Sequence, residues 1–303
     1  MIVLLFAPAA LAGPDVWLGA GVTSGVGYDT VNGVAPLLSQ AEVNLQADWE
    51  EVVVRVDLDL HVYPDDPLAL PLPLPVPPEA AYVQLGTSAG PYAQVGVVTQ
   101  NIAIEMWDER DNYMVTYSTG WGASNSQLIG AIPGFRFEDG TEVFLAGGYD
   151  LGWFAPSIGA GVATEQDVFS TWSGAFLLPT YGGAFAFYSA NEVYPLDALW
   201  LTLQLEGGHA GEGVFWGGPL FIASLFPEAV VGGAVRAEAI LFGASEAEAL
   251  LEVPMPPLAL SAAVHVWPTD WLYIAGEGKL TMTGGASIPS VALLVDLHVP
   301  EPE

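Results

Sequence analysis

The sequence predicts an all-β chain, a transmembrane antiparallel up-and-down barrel of about 14 strands, within a range of about 12 to 16. Three observations carry this. Runs of about ten residues alternate apolar with polar side chains, the period of a strand whose two faces see different surroundings. Apolar residues make up 52 % of the 303, yet beyond residue 12 no apolar run approaches the roughly 18 to 20 needed for a membrane-spanning helix. Only helices and closed barrels satisfy backbone groups in hydrocarbon, so a membrane reading must mean a barrel. Finally, 10 Trp, 11 Tyr and 13 Phe suffice for aromatic girdles at two interfaces.

In chain order, Met1 to Phe6 is apolar and Ala10-Leu11-Ala12 is a small-x-small site before Gly13. Residues 1–12 therefore read as a secretory signal lacking its basic n-region, and 13–303 as one barrel domain with no later boundary. Val16 to Asp29, rich in Gly and Val, is a first strand. The clearest alternation follows. Val52, Val54, Val56, Leu58 and Leu60 share one face, while Arg55, Asp57, Asp59 and His61 share the other. Before them Ala41, Val43, Leu45, Ala47 and Trp49 oppose Glu42, Asn44, Gln46 and Asp48, with only Glu50-Glu51 between the runs, so the two form a hairpin. The hairpin alone fits a soluble sandwich with its apolar face inward or a membrane barrel with that face in lipid.

Prolines at 64, 67, 71, 73, 75, 77 and 78 cannot donate to a ladder and predict a long loop over 64–78. Strands at 79–87 and 92–98 are joined by Ser-Ala-Gly, and an acidic loop over 99–112 follows. Further strands fall at 127–137 and 141–149, around the turn Glu138-Asp139-Gly140, and near 153–163, 168–178 and 181–189. The alternation returns at Leu199 to Glu206, Val231 to Leu241, Leu258 to Trp267, Leu272 to Leu280 and Val291 to Val299. Glu246 to Glu252 reads as a short helix.

Five Lys and Arg against 35 Asp and Glu give a net charge of −30. That argues against nucleic acid and anionic surfaces as partners and against an anion pore, although an acidic solvent-adapted surface accounts for the same balance without any function. The absence of cysteine removes disulfides and thiolate metal sites. No phosphate loop, HExxH or EF-hand pattern occurs, so no enzyme, cofactor or metal is expected. His209 between Glu206 and Glu212 is a weak metal signal. A Ser-His-Asp arrangement at His61, His265 or His298 needs pairings that sequence does not show.

A cation on the lipid face near the midplane costs roughly 2 to 4 kcal/mol, so the polar faces should line a lumen. The pore-lining candidates are Glu42, Asp48, Arg55, Asp57, Asp59, Glu206, Arg236, Glu238, Glu277 and Lys279. The cluster Glu105, Asp108, Glu109, Arg110 and Asp111 is either a solvated cap or a constriction loop whose carboxylates select cations. In the second case Arg110 is its main counter-charge, and each basic residue marks a wall position facing carboxylates across the lumen.

One segment points to a family. Glu79-Ala80-Ala81-Tyr82-Val83-Gln84, then Tyr92-Ala93-Gln94-Val95-Gly96, Ile104-Glu105, Asp111-Asn112-Tyr113 and Ser118 resemble the β-barrel porin family called OmpL-like or porin-2. The likeness is specific over about 79–120 and elsewhere rests on alternation. The chain departs from the family pattern at Val97-Val98-Thr99-Gln100, where the family has Phe-x-Thr-Pro, and at Thr116-Tyr117-Ser118, which lacks the family's Arg. Its last residues, Pro-Glu-Pro-Glu, stand where outer-membrane barrels commonly carry an aromatic. The resemblance implies passive passage of small solutes or ions across the outer membrane of a Gram-negative bacterium, with lipid and solutes as partners and no catalytic residues. A structural or adhesive barrel with a closed lumen, and a secreted soluble β-protein, are the alternatives.

Overall fold

The computed structural model describes residues 15–31, 33–36, 39–62, 80–86, 88–99, 127–151, 155–178, 184–196, 198–210, 212–226, 230–246, 256–283 and 285–299. The expected signal at 1–12, the Pro-rich loop at 64–78, all of the acidic loop but Thr99, and residues 247–252 of the expected helix lie outside them.

Seventeen antiparallel segments form one sheet: β1 (Asp15–Asp29), β2 (Gly33–Pro36), β3 (Ser39–Trp49), β4 (Val52–Val62), β5 (Ala80–Leu85), β6 (Gly90–Thr99), β7 (Gln127–Arg136), β8 (Glu142–Asp150), β9 (Ala155–Gln166), β10 (Phe169–Leu178), β11 (Ala184–Leu196), β12 (Leu199–His209), β13 (Phe215–Leu225), β14 (Val231–Glu238), β15 (Leu258–Thr269), β16 (Leu272–Thr283) and β17 (Ala286–His298). Both β2 and β3 pair with β1, so the described residues build 16 wall strands. From β3 onward each strand pairs with the next, and β1 pairs with β17 from Gly21↔His298 to Asp29↔Ser290, which closes the ring.

The 16 wall strands stand at the top of the expected range, above the favoured 14, and one of them is absent from the segments named from sequence for a local reason. The sequence reading passes over β13, because Phe215, Phe221 and Leu225 on one face meet Trp216, Leu220 and Ile222 on the other, which erases the alternation, and Pro219 interrupts the run. The predicted hairpin is present, with Leu45↔Val56 and Asn44↔Asp57 in register across the Glu50-Glu51 turn. At Glu138-Asp139-Gly140 the φ of Gly140 is 81°, the Phe137 N–H donates to the Thr141 carbonyl at 2.7 Å, and Asp139 Oδ1 accepts the Thr141 N–H at 2.9 Å. This is a three-residue hairpin loop with glycine in the left-handed position. Of the expected helix only Glu246 is described, at the end of a helical turn over 244–246.

Which face points outward is decided by exposure. Leu58 is 51 % exposed and its neighbour Asp57 is 5 % exposed; for Leu293 and Leu294 the values are 47 % and 1 %. Along the ring the exposed outer face is Val, Leu, Ile and Phe, and the buried inner face holds Glu42, Asn44, Asp57, Glu192, Gln204, Glu206, Arg236, Glu277 and Asp296. This polarity is the inverse of a soluble protein's and suits an outer face in contact with hydrocarbon. Outward aromatics gather at both ends, with Tyr28, Tyr149, Phe185 and Phe215 at one and Phe135, Phe137 and Phe169 at the other. The connections 63–79, 100–126 and 239–257 all leave from the first end, and the second carries only short turns and both terminal strand ends.

The inner face is tiled partly by rings lying over glycines. Tyr92↔Gly134, Gly134↔Phe144 and Phe144↔Gly161 are registered pairs, and a Cβ on Gly134 or Gly161 would collide with the ring of Tyr92 or Phe144. Here glycine is required because a large cross-strand neighbour occupies the space its side chain would fill.

Candidate functional site

The site is the inner wall of the ring, and alternation decides what it contains. β3 contributes Glu42, Asn44, Gln46 and Asp48; on β4, Arg55 Nε donates to Asp57 Oδ2 at 2.6 Å. Asp59 stands opposite Glu42 in the ladder. On β12, Gln204 Nε2 donates to Glu206 Oε2 at 2.9 Å.

The β14–β16 sector is arranged around small residues. On β15, Ala259, Ser261 and Ala263 occupy the inner face, leaving room for β14 and β16 side chains to meet across them. Arg236 Nη2 reaches Glu277 Oε1 at 3.6 Å, with both side chains 0 % exposed, and Lys279 Nζ reaches Glu238 Oε1 at 3.4 Å. Burying these cations is tolerable because each has a carboxylate beside it.

Nine of the ten pore-lining candidates therefore have described side chains, all on the inner face; for Asp59 the description stops at its backbone pairing. Glu105, Asp108, Glu109, Arg110 and Asp111 lie outside the described residues. The expectation that basic residues face carboxylates across the lumen needs correction. The four described ones pair within one strand (Arg55–Asp57), between adjacent strands (Arg136–Glu142, 2.9 Å) or one strand apart. Wall neighbours stand about 5 Å apart, so those partners are much nearer than the far wall. His209 also departs from expectation. It ends β12 on the outer face between the rings of Phe185 and Phe215, at 6.0 and 4.8 Å, while Glu206 faces inward, so the two cannot share an ion.

Sequence reading missed several inner-wall groups. Asp150, Glu192 and Asp296 are buried there, and Arg136 with Glu142 receives the Tyr92 hydroxyl on Glu142 Oε1. Thr202 Oγ1 and Tyr194 Oη donate to Glu192 at 2.7 and 2.8 Å, and Thr23 Oγ1 donates to Asp296 at 2.7 Å. Alternation already puts Asp296 on the polar face of the last strand, although it is not among the pore-lining candidates, and extending the parity of the strand near 181–189 would have found Glu192. The inner wall also has an apolar sector, where Ala155, Phe176, Ala186, Tyr188, Trp216 and Ile240 pack together towards the end that carries the long connections.

The fold is that of the porins. The chain is similar to the outer membrane channel DcaP of Acinetobacter baumannii, with a TM-score of 0.62 at 11 % identity over 97 % of this chain and 99 % of that one. It is likewise similar to a triple mutant of Rhodopseudomonas blastica porin, with a TM-score of 0.60 at 12 % identity over 94 % and 100 %. A third similar structure is a loop-deletion mutant of OmpT, an outer membrane protein of Vibrio cholerae, with a TM-score of 0.60 at 10 % identity over 95 % and 100 %. At these identities the likeness is one of fold. No family model and no curated protein matches the chain.

Proposed function

We propose that this chain is a water-filled channel in the outer membrane of a Gram-negative bacterium, through which small solutes diffuse and cations pass preferentially. One observation carries the reading: a closed ring with an apolar exterior and an interior in which carboxylates outnumber cations. Among the described inner-wall residues, Glu42, Asp48, Asp57, Glu142, Asp150, Glu192, Glu206, Glu238, Glu277 and Asp296 stand against Arg55, Arg136, Arg236 and Lys279. A ring of excess negative charge concentrates cations and repels anions in a narrow aqueous path. The fold shared with porins, the resemblance of 79–120 to the OmpL-like or porin-2 family, and the signal-like residues 1–12 support the same reading. The cluster Glu105, Asp108, Glu109, Arg110 and Asp111 is proposed as the constriction of this path, and Asp59 as part of its lining.

Purified protein in planar bilayers under a potassium chloride gradient tests the proposal. A reversal potential of the sign set by potassium supports it, and chloride preference overturns it. A second reading, a barrel with a closed lumen acting structurally or in adhesion, is favoured by the apolar inner sector around Trp216 and by Leu128 and Leu220, both 0 % exposed. Absence of single-channel conductance from correctly inserted protein would decide for it.

A further inference from the structure

Six inward rings belong to neither outer girdle. Tyr194 on β11, Trp200 on β12, Phe226 just after β13, His265 and Trp267 on β15 and Tyr273 on β16 share the face of Glu192, Thr202, Ser224 and Asp296, at the end that carries the short turns. They touch in sequence. Tyr194 and Trp200 have centroids 5.7 Å apart, Trp200 and Phe226 6.0 Å, Phe226 and Trp267 5.8 Å, and Trp267 and Tyr273 5.5 Å. His265 stacks on both Trp267 and Tyr273, and its Nδ1 lies 2.6 Å from the Tyr273 hydroxyl. The arc crosses six consecutive wall strands, β11 to β16.

Tyr194, Trp200, Phe226 and Trp267 are only half-buried. On the outer face such rings would serve as interfacial anchors; on the inner face they hold apolar surface towards an aqueous path. Carboxylates flank them. Glu192 accepts the Tyr194 hydroxyl at one end of the arc, and Asp296 is registered opposite Tyr273 at the other. Eight strands round the ring, at the same end, the facing wall carries Gln46, Asp48, Arg55, Gln84 and Gln94. The rings of that facing wall, Tyr82 and Tyr92, have Arg55 and Arg136 beside them, whereas the ends of the arc have carboxylates.

We infer that this mouth is a binding zone for organic cations, ammonium groups carried on a flat or aliphatic body. The body lies on the ring faces, which attract the cation through their quadrupoles, and the flanking carboxylates supply the counter-charge. The inference rests on the proposed cation-preferring channel and names its solute class.

The test is block of potassium current by benzyltrimethylammonium in planar bilayers, with benzyl alcohol as the neutral counterpart. The wild type is compared with the double variant Trp200→Leu/Trp267→Leu, with Glu192→Gln, and with Phe221→Leu, an outward residue, as control. Resistance to dodecyl sulfate without heating reports closure of each barrel. The half-blocking concentration is expected to rise at least tenfold in the double variant and severalfold in Glu192→Gln, and to stay unchanged in Phe221→Leu. If the double variant fails to close, Glu192→Gln decides. Equal block in wild type and variants, or equal block by benzyl alcohol, overturns the inference while the potassium reversal potential stands. Chloride preference in the wild type overturns instead the channel reading beneath it.

Discussion

Leu45 and Gln46 are chain neighbours on β3 with opposite surroundings, so the same substitution at both tests which face meets hydrocarbon. Leu45 is 44 % exposed on the outer face, and Gln46 Nε2 donates inward to Asp48 at 2.8 and 3.0 Å. β3 runs Ser39–Trp49, which puts Leu45 one residue from its centre. A strand tilted about 45° advances roughly 2.3 Å per residue along the barrel axis, so Leu45 lies within about 2 to 3 Å of mid-depth. Leu45→Lys there is expected to cost about 2 to 4 kcal/mol, roughly a 30- to 700-fold shift in the folding equilibrium. Gln46→Lys places its ammonium beside the Asp48 carboxylate, where a partly solvated pair contributes about 0 to 1 kcal/mol. Urea unfolding of the two variants and the wild type in phosphatidylcholine vesicles, followed by tryptophan fluorescence, measures both. Equal losses, or the larger loss at Gln46, would refute the assigned faces.

Three further outcomes are expected. Arg236→Met should destabilise by about 3 to 5 kcal/mol, because Glu277, 0 % exposed, loses a nearby cation; Lys279→Met should cost less, since Lys279 keeps 16 % exposure, and the same unfolding assay ranks them. Gly134→Ala should cost about 1 to 3 kcal/mol by displacing the Tyr92 ring, and much less in a Tyr92→Ala background, which a double-mutant cycle checks. At the exposed 138–140 turn, the Thr141 N–H holds the Asp139 carboxyl below the usual carboxylate range. Its folded value is depressed, so its contribution is full above the unfolded value of about 3.9 and disappears as pH falls through the folded one. The stability gap between wild type and Asp139→Asn should accordingly narrow below about pH 4; a gap independent of pH would count against this.

How much of this was legible depended on contrast between faces. In β3 the inward Glu42, Asn44, Gln46 and Asp48 all differ in polarity from their neighbours, and in β4, β12, β15 and β17 enough inward positions do, among them Asp57, Gln204, His265 and Asp296, for the orientation to be read directly. β13 could not be read, because Trp216, Leu220 and Ile222 face inward and are as apolar as their outward neighbours. Wall partners were illegible for another reason. The Arg236–Glu277 contact depends on register across two ladders and on the small Ser261 and Ala263 between them, and neither is a local property of sequence. The aromatic arc was hidden in the same way, since its six rings come from five separate stretches of chain that only the ladders from β11 to β16 bring together.

The ring's seam differs in kind from its other joints. Each wall strand pairs with its sequence neighbour, but β1 meets β17, where Thr23 and Asp296 are 273 positions apart. Until that pairing forms, the sheet has two open edges whose donors and acceptors hydrocarbon cannot satisfy, and an outer face that water does not tolerate. A nearly complete wall thus has no stable resting place in either phase. Closure and entry into the bilayer become a single cooperative event, and substitutions that weaken the seam at Gly21 to Asp29 or Ser290 to His298 should lower the yield of inserted protein more than the stability of barrels already closed.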